Sequence, residues 1–319
     1  MNISLVIPVR DEERSISRLL ASIAGQTRSP DEVIFIDAGS ADKTRYLIET
    51  RKDDKLAVKV ISIGPAYPGK ARNAGIKEAK HDLIAFTDGG IELDNDWLKE
   101  LNSFMEKDAS CDVVYGSYFP RTDTLFKECL AIAVVPPFTS RNGVCMRTRF
   151  IASSLMKRSV WEGVGAFPDL RAAEDRIFME RVEDKGFKVL YNPKAFVIWD
   201  IPENLKRVIR RFCSYSYHDM RAGRSRDWHI PVLKMYIAVF ICILLGAFMS
   251  PIFFILPVIG FAARVIKKIL ININEPYFKL MNVPAYAVIS GFLIFSIDCA
   301  MFAGWARYLT GRLGVKLWG

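Results

Sequence analysis

The chain has 319 residues, of which 51% are hydrophobic, and its formal net charge is +9. Residues 1–202 carry 29 Lys and Arg against 30 Asp and Glu, residues 203–230 carry 7 against 3, and residues 231–319 carry 8 against 2, so the whole excess lies in the last third. This distribution argues against a basic nucleic-acid-binding domain and predicts a near-neutral soluble domain followed by a basic, membrane-seeking region.

The six cysteines include no C-x-x-C pair, which argues against a disulfide framework and against a zinc site. This usage suits a reducing cytosol. The first residues run into a strand-like segment without a basic stretch or a cleavage site, so no signal peptide is evident. We therefore expect the first domain to stay on the cytosolic side.

Short β-branched runs alternate with helical patterns through the first 120 residues. In chain order the pattern predicts strands at 4–9, 32–37, 57–63, 83–87 and 111–118, and between them helices at 12–23, 41–51, 70–79 and 95–105. This alternation predicts an α/β fold with a doubly wound, mainly parallel sheet. The strands are apolar throughout, as expected when helices cover both faces of the sheet. Beyond residue 120 we expect a strand at 150–156, a helix at 174–185, and two extended pieces within 188–199 that are broken at Asn192-Pro193.

The basic region begins with an amphipathic pattern at residues 203–217. One face carries the apolar residues Leu205, Val208, Ile209, Phe212 and Tyr215, and the other carries Lys206, Arg207, Arg210 and Arg211. Such a pattern is typical of an interfacial helix that rests on anionic lipid, with a solvated helix or a nucleic-acid patch as the alternative.

Three apolar segments follow, at residues 232–249, 252–266 and 285–309. The third is long enough to span a bilayer, at about 20 residues per crossing. The first two predict either a tight hairpin or one span kinked at Pro251, so two or three spans remain possible. Asp298 is costly within lipid, and we expect it to pair with Arg307 or to lie in the interface. We therefore divide the chain into a domain at 1–202, an interfacial helix at 203–230 and a membrane-anchoring segment at 231–319.

Carboxylates follow three of the predicted strands, at residues 11–12, 37 and 88. In doubly wound sheets ligands bind outside the carboxyl ends of the strands, so these side chains are expected on one binding rim. Neither a G-x-G-x-x-G fingerprint nor a Walker lysine loop is present, which argues against a dinucleotide oxidoreductase and a P-loop enzyme. An acidic rim suits hydroxyl groups, the edge of a base and a metal-bridged diphosphate.

Five segments occur in the order of a known family: SLVIPVRDEE at 4–13, VIFIDAGSADKT at 33–44, GKARNAG at 69–75, IAFTDGGIELD at 84–94 and AEDR at 173–176. Together they resemble the family 2 glycosyltransferases with the GT-A fold, over roughly residues 3–200. Each segment is weak evidence by itself, whereas five in register are specific.

The resemblance implies a role for each motif in binding the donor. It places Pro8, Arg10 and Glu12 in the nucleoside pocket and lets Asp37 hydrogen-bond the base, while Asp42 and Thr44 brace that loop. Arg72 and Asn73 begin a helix after a Pro-Gly turn, where a guanidinium and helix N-terminal amides suit a diphosphate.

Asp88 stands where the family usually carries a D-x-D motif that holds a divalent metal. The third position is Gly90 here, so half of that motif is missing. Glu92 is the nearest carboxylate that can replace it. Hard oxygen ligands would select Mg²⁺ or Mn²⁺, and metal-independent activity is the alternative.

By the same resemblance Asp175 is the general base of an inverting displacement, with Glu174 beside it. An anionic phosphate acceptor would need no base, and Asp175 would then only orient it. Ser153, Ser154 and Trp161 resemble the family's acceptor-side strand and the helix after it. Arg210 and Arg211 are expected to reach back to the diphosphate.

We therefore expect an inverting enzyme of the hexosyltransferase type, which moves one sugar from a nucleotide-diphosphate sugar to the hydroxyl of a membrane lipid. The Q-x-x-R-W motif of the processive synthases is absent, which favours single transfer. Uridine is the family's commonest nucleoside, so UDP is expected rather than GDP. We expect no nucleic acid as a partner. The chain is expected to be a multi-pass protein of the cell membrane with its catalytic domain on the cytosolic face.

Three alternatives remain. A polyprenyl-phosphate glycosyl synthase would use the same chemistry. A non-catalytic membrane protein that kept the fold is favoured only by Gly90. A nucleotidyltransferase finds little support in the Glu174-Asp175 helix start.

Overall fold

The computed structural model describes residues 1–51, 57–141 and 144–312, which form two units. The first unit comprises Met1–Arg121 and Phe138–Asp200, and the second comprises Thr122–Pro137 and Ile201–Gly319. The boundary at Asp200 lies close to the expected end of the first domain. The segment Thr122–Pro137, which we had assigned to the first domain, belongs instead to the second unit.

The first unit is built on an eight-stranded sheet in the order β3-β2-β1-β4-β9-β6-β10-β5. Its strands are β1 Ile3–Val9, β2 Glu32–Asp37, β3 Val58–Ser62, β4 Leu83–Phe86, β5 Ile91–Leu93, β6 Val113–Pro120, β9 Ser154–Lys157 and β10 Val189–Trp199, and β7 Thr139–Arg141 pairs with β8 Val144–Met146 in a separate hairpin. The pairs β3-β2, β2-β1, β1-β4 and β6-β10 are parallel, whereas β9 and β5 run antiparallel to their neighbours. The α/β fold is as predicted, although the sheet is mixed.

Among the described residues of this unit, six helices accompany the sheet: α1 Ile16–Ala24, α2 Thr44–Arg51, α3 Pro68–Glu78, α4 Trp97–Lys107, α6 Arg158–Val164 and α7 Glu174–Asp184. Helix α3 packs directly on β1, because a Cβ added to Gly75 would lie 2.3 Å from Cγ1 of Val6. This close approach brings the first turn of α3 to the carboxyl end of the central parallel strands.

Several boundaries differ from the sequence prediction by a few residues, and three of the differences have a local reason. Helix α1 begins at Ile16 rather than at residue 12, because Asp11 has φ +56° and the chain turns before the helix starts. The strand expected at 150–156 begins at Ser154, because the preceding residues form a turn in which Ser153 N donates to Phe150 O at 3.1 Å. Strand β10 runs through Asn192-Pro193 with a register shift instead of breaking there.

The second unit is helical. Its helices are α5 Leu125–Val134, α8 Leu205–Arg221, α9 His229–Phe248, α10 Ile255–Ile271 and α11 Val283–Arg312, with 3-10 turns at Pro251–Phe254 and Leu280–Asn282. Helix α5, which the sequence did not predict, packs on α11, where Ser290 Oγ donates to Cys129 O at 3.2 Å. Among the described residues, His229–Phe248 and Leu280–Gly311 are long and apolar enough to cross a membrane.

We expected either a tight hairpin or one kinked span for the first two apolar segments. Helices α9 and α10 form the hairpin. At its closed end the ring of Phe254 lies 2.8 Å from the place a Cβ of Gly246 would take, and farther along Arg264 Nη1 lies 3.7 Å from Sδ of Met235. Asp298 is buried and pairs with Arg264 of α10, not with Arg307 as expected. Arg307 follows Asp298 by nine residues on the same helix, about 13 Å along its axis, which is too far for an ion pair.

Candidate active site

The first two strands end in residues that are held tightly by their own loops. Pro8 is buried in β1, and Asp37 is buried at the end of β2, where its carboxylate accepts hydrogen bonds from Ser40 N at 2.9 Å and from Ser62 Oγ at 3.2 Å. Arg10 is exposed and lies 3.7 Å from the Asp11 carboxylate. The carboxylate of Asp37 is thus fixed at the rim, as a group that reads a base must be, although contact with a base remains a prediction.

The loop after β1 is braced by the start of α2. Thr44 Oγ1 accepts a hydrogen bond from Glu12 N at 2.7 Å, and Asp42 Oδ2 accepts one from Glu13 N at 3.0 Å. Asp11 keeps a left-handed conformation, and its carboxylate accepts from Ala41 N at 2.8 Å. The bracing role expected of Asp42 and Thr44 is therefore confirmed.

A buried arginine joins the end of β4 to the start of α7. Arg72 is 2% exposed, its Nη2 lies 2.8 Å from Asp88 Oδ1, and its Nη1 lies 3.1 Å from Glu174 Oε1. Its guanidinium carbon lies 5.8 Å from the ring centre of Phe167. Burial opposes the charge of Arg72, but the attraction of Asp88, Glu174 and Asp175 outweighs it and raises the pKa of the guanidinium. One permanent cation therefore links two of the sequence-predicted site carboxylates.

Close backbone contact holds the start of α3 against the loop before α7. A Cβ at Gly69 would lie 2.1 Å from Pro168 O, so only glycine fits there. Asn73 fastens the same loop, since its Nδ2 donates to Phe167 O at 2.8 Å and its Oδ1 accepts from Phe167 N and Trp161 Nε1. Asn73 thus holds this loop in place, and the diphosphate roles expected of Arg72 and Asn73 remain predictions.

The two acidic residues at the start of α7 have different surroundings. Glu174 is buried, and desolvation together with the neighbouring charge of Asp175 raises its pKa to about 7 despite the ion pair with Arg72. Asp175 is half-buried, and its Oδ1 accepts from Arg176 N at 2.8 Å. The preceding residue, Ala173, has φ +67°, a conformation that non-glycine residues seldom adopt. The chain thus turns sharply to present Asp175 at the surface while Glu174 points inward to Arg72.

The raised pKa of Glu174 predicts a pH-dependent stability. The folded state holds this proton up to about pH 7 and the unfolded chain only up to about 4.5, so the stabilisation is complete below pH 4.5 and is lost as pH rises through 7. The difference is on the order of 3 kcal/mol. We expect the unfolding midpoint of Glu174→Gln to change less with pH than that of the wild type between pH 5 and 8. Glu180→Gln, an exposed change on the same helix, is the control, and parallel pH curves for wild type and Glu174→Gln would contradict the assignment.

The metal-binding prediction depends on the carboxylates of Asp88 and Glu92. Both are partly exposed and both are paired with an arginine, Asp88 with Arg72 and Glu92 with Arg121. A Cβ at Gly90 would lie 3.5 Å from Glu12 Oε2, so the glycine leaves room for another carboxylate beside it. Within the described ranges no three His, Cys, Asp or Glu side chains are grouped to hold a metal ion. Glu12 therefore lies beside the turn at Gly90, and the metal-binding roles expected of Asp88 and Glu92 remain predictions.

The residues expected on the acceptor side are internal to the fold. Ser153 is fully buried, its hydroxyl accepting from Trp97 Nε1 at 2.9 Å and donating to Ala195 O at 3.0 Å. Ser154 is also fully buried and donates to Ile151 O. These contacts correct the expectation that Ser153 and Ser154 face an acceptor, because neither hydroxyl is accessible. Trp161 supports Asn73, as described above.

Arg210 and Arg211 lie in the second unit, on α8, where Arg210 is exposed and Arg211 is half-buried. Their reach toward the diphosphate remains a prediction. The predicted amphipathic pattern of α8 is only partly visible in its burial. Val208 is buried and Lys206 is exposed, but Ile209 of the apolar face is also exposed.

Sequence reasoning missed two groups that shape the site. Phe167 stacks on Phe178 with ring centres 3.8 Å apart and forms an aromatic wall beside Arg72. Arg121 Nε lies 2.8 Å from Asp200 Oδ1. The arginine that pairs with Glu92 is therefore held in place by Asp200, the residue that follows β10. Both depend on residues far apart in the chain, and neither belongs to a recognisable motif.

Comparison with known families and sequences bears on the first unit. Residues 4–149 match the model of the family described as Glycosyl transferase family 2. Poly(ribitol-phosphate) β-N-acetylglucosaminyltransferase TarS of Staphylococcus aureus is 28% identical over 194 residues, which are 56% of this chain and 32% of TarS. The O-antigen chain rhamnosyltransferase RfbN of Salmonella typhimurium is 28% identical over 212 residues, which are 62% of this chain and 66% of RfbN. The chain therefore matches about a third of TarS and just under two thirds of RfbN.

Solved structures resemble the chain over most of its length. Mannosyltransferase PcManGT from Pyrobaculum calidifontis, in complex with GDP-Man and Mn²⁺, gives a TM-score of 0.64 at 16% identity and covers 98% of this chain and 88% of its own. TarS 1–349 in complex with UDP-GlcNAc gives 0.51 at 18% identity, covering 100% and 93%. At these identities the likeness shows a GT-A-like fold.

Proposed function

We propose that this chain, whose residues 4–149 match the model of glycosyl transferase family 2, is a glycosyltransferase that transfers a single sugar from a nucleotide-diphosphate donor to a lipid hydroxyl with inversion at the anomeric carbon. The observation that carries the proposal is the bridge through Arg72, which ties Asp88 at the end of β4 to Glu174 at the start of α7. This bridge fixes Asp88, which is expected on the donor side, relative to the acidic pair of Glu174 and Asp175. A displacement between two bound substrates requires its groups to be held in fixed positions.

In the proposed reaction the acceptor oxygen attacks C1 of the sugar as the bond from C1 to the diphosphate oxygen breaks. The hydroxyl proton passes to the carboxylate of Asp175, and the electron pair of the broken bond leaves with the nucleoside diphosphate. Because Glu174 is buried and has a pKa of about 7, it is partly protonated at neutral pH, and Asp175 remains the accessible base. Arg72 stays charged throughout and offsets the negative charge of this pair.

A divalent cation, Mg²⁺ or Mn²⁺, would be held by Asp88 and Glu12 together with the diphosphate, and would supply charge stabilisation for the leaving group. Arg72 contributes in the same direction through its charge, because it is buried and pairs with Asp88. The chain thus offers a fixed guanidinium in support of a metal site that lacks the second D-x-D carboxylate.

The second unit is proposed to anchor the enzyme in the cell membrane with its catalytic domain on the cytosolic face. Support comes from two long apolar helices, from the exposed cations of α8, and from the net charge of residues 203–319. A lipid acceptor follows, since an enzyme held at the membrane meets substrates that are also held there. A polyprenyl phosphate is the alternative acceptor, distinguished by whether Asp175 is required.

A nucleotide screen tests the donor site. We expect a nucleoside diphosphate, UDP before GDP, to raise the unfolding midpoint of the full chain in detergent, and to raise it further with Mn²⁺, because a ligand that binds only the folded state stabilises it. Asp88→Ala should abolish the Mn²⁺-dependent part, and Asp94→Ala, a carboxylate beyond β5, should not. No shift with any nucleotide under any condition would refute the proposal.

A further inference from the structure

The hairpin of α9 and α10 contains a long stretch without charge. No Lys, Arg, Asp or Glu occurs in the 29 residues from 235 to 263, which are bounded by Lys234 on one arm and Arg264 on the other. Two further cations, Lys267 and Lys268, follow on the second arm. The bases of both arms are therefore positive, and because the hairpin folds back on itself the two bases lie on the same side of it.

The uncharged arms are too short to cross a bilayer. On α9 the arm from residue 235 to 248 has 14 residues, about 21 Å at 1.5 Å per residue. The returning arm combines the 3-10 turn Pro251–Phe254 with residues 255–263 of α10, again about 21 Å. The hydrocarbon layer of a bilayer is about 30 Å thick. A hairpin whose arms are about 21 Å long therefore has its apex inside the hydrocarbon layer.

The side chains at the apex suit the hydrocarbon layer better than the opposite membrane surface. Phe248, Met249 and Ile252 are 84%, 73% and 64% exposed. Residues 244–263 contain no Trp, Tyr or charged side chain, the groups that anchor a helix end at a membrane surface. Such anchors occur only near the bases, at Trp228 and Tyr236. The asymmetry indicates one interface, at the bases.

The turn at the apex can also exist without water. Met249 N and Ser250 N both donate to Leu245 O, at 2.8 and 3.1 Å, and Phe253 N donates to Ser250 O at 3.1 Å. Pro251 has no N–H to satisfy. Backbone groups in lipid must be paired within the protein, and these donors of the turn are paired.

The bases of the hairpin are fastened to α11 by a polar cluster. Arg264 Nη2 lies 3.0 Å from Asp298 Oδ1, and the hydroxyl of Tyr236 donates to Asp298 Oδ2 at 3.1 Å. This pairing neutralises Asp298, which is 1% exposed, and joins all three helices at one level. Lys234 and Lys267 remain exposed near that level, where they can contact anionic headgroups.

We infer that the α9–α10 hairpin inserts into an anionic bilayer from one face and ends within the hydrocarbon, so that neither helix crosses the membrane. The inference rests on the proposed membrane anchoring and refines it: chain entry and exit at this hairpin lie on the same face. It also changes the expected count of spans, because α9 and α10 then contribute none.

Cysteine accessibility in sealed liposomes of phosphatidylglycerol and phosphatidylcholine tests the inference. The full chain carries Met249→Cys at the apex or, as a matched control, Lys234→Cys at the base, in a background with Cys145, Cys213, Cys242 and Cys299 changed to Ser, while Cys111 and Cys129 are buried. A membrane-impermeant maleimide is supplied outside, inside, or on both faces. We expect Lys234→Cys to react from one face only, and Met249→Cys to react from neither until detergent is added.

Reaction of Met249→Cys from the face opposite to Lys234→Cys would show a crossing hairpin, and reaction from the same face would show a hairpin outside the bilayer; either overturns the inference. A nitroxide at Phe248→Cys gives an independent reading, expected to collide strongly with oxygen and weakly with a water-soluble nickel complex. The reverse ratio would also overturn it. Sugar transfer is measured separately, so an inactive protein with a buried apex would refute the proposed function alone.

Discussion

Replacing Asp175 by Asn is expected to lower kcat by about 10²- to 10⁴-fold while leaving donor affinity unchanged. Asn keeps the size of the side chain and an oxygen that can accept from Arg176 N, but it cannot take the acceptor proton. Glu174 cannot replace it, because that carboxyl is buried against Arg72 and is partly protonated at neutral pH. Single-turnover transfer to a lipid hydroxyl, with nucleotide affinity from thermal shifts, measures both quantities.

The matched control is Asp184→Asn, the same chemical change at the exposed end of the same helix, and it should leave kcat within twofold. The outcome also discriminates between acceptors. If Asp175→Asn retains turnover with a polyprenyl phosphate, the acceptor needs no base and the hydroxyl acceptor is refuted. If turnover is lost with every acceptor, the polyprenyl-phosphate synthase loses its support.

The sequence predicted those elements whose cause is local. Strand β2 has the predicted bounds Glu32–Asp37, because its four central residues are all apolar, as expected of a strand buried on both faces. The start of α7 at Glu174 was also predicted, since the acidic pair begins a clear helical pattern. The family motifs identified Arg72, Asp88 and Glu174 separately, and the structure brings these three together.

What the sequence did not predict depends on partners far along the chain. Arg121 holds Glu92 from 29 residues away, and Arg264 reaches Asp298 across 34 residues, so no local pattern shows that either carboxylate is already paired. Burial of Ser153 is similar, because Trp97 and Ala195 are brought to it only when the sheet forms. Such pairings change which carboxylates and hydroxyls are available for chemistry, and they are decided by topology.

Removing the guanidinium with Arg72→Ala is expected to lower the free energy of unfolding by about 3–5 kcal/mol, because it leaves Glu174 buried without its counter-charge. It also removes the cation that offsets Asp88, so we expect donor-dependent stabilisation to fall together with turnover. Lys77→Ala removes an exposed cation from the same helix and should cost less than about 0.5 kcal/mol. Equilibrium unfolding of the full chain in detergent at pH 7.5 is the measurement.

A double variant separates the buried charge from the loss of packing. In Arg72→Ala/Glu174→Gln no unpaired carboxylate remains at position 174, so the double variant should be less destabilised than the sum of the two single changes, with an interaction energy of about 1–3 kcal/mol. Arg72→Lys keeps one positive charge but cannot bridge two carboxylates with a planar fork, so it should recover stability more than it recovers turnover. Strict additivity of the two single changes would show that Arg72 and Glu174 act independently, and the bridge would then no longer account for the arrangement of the acidic pair.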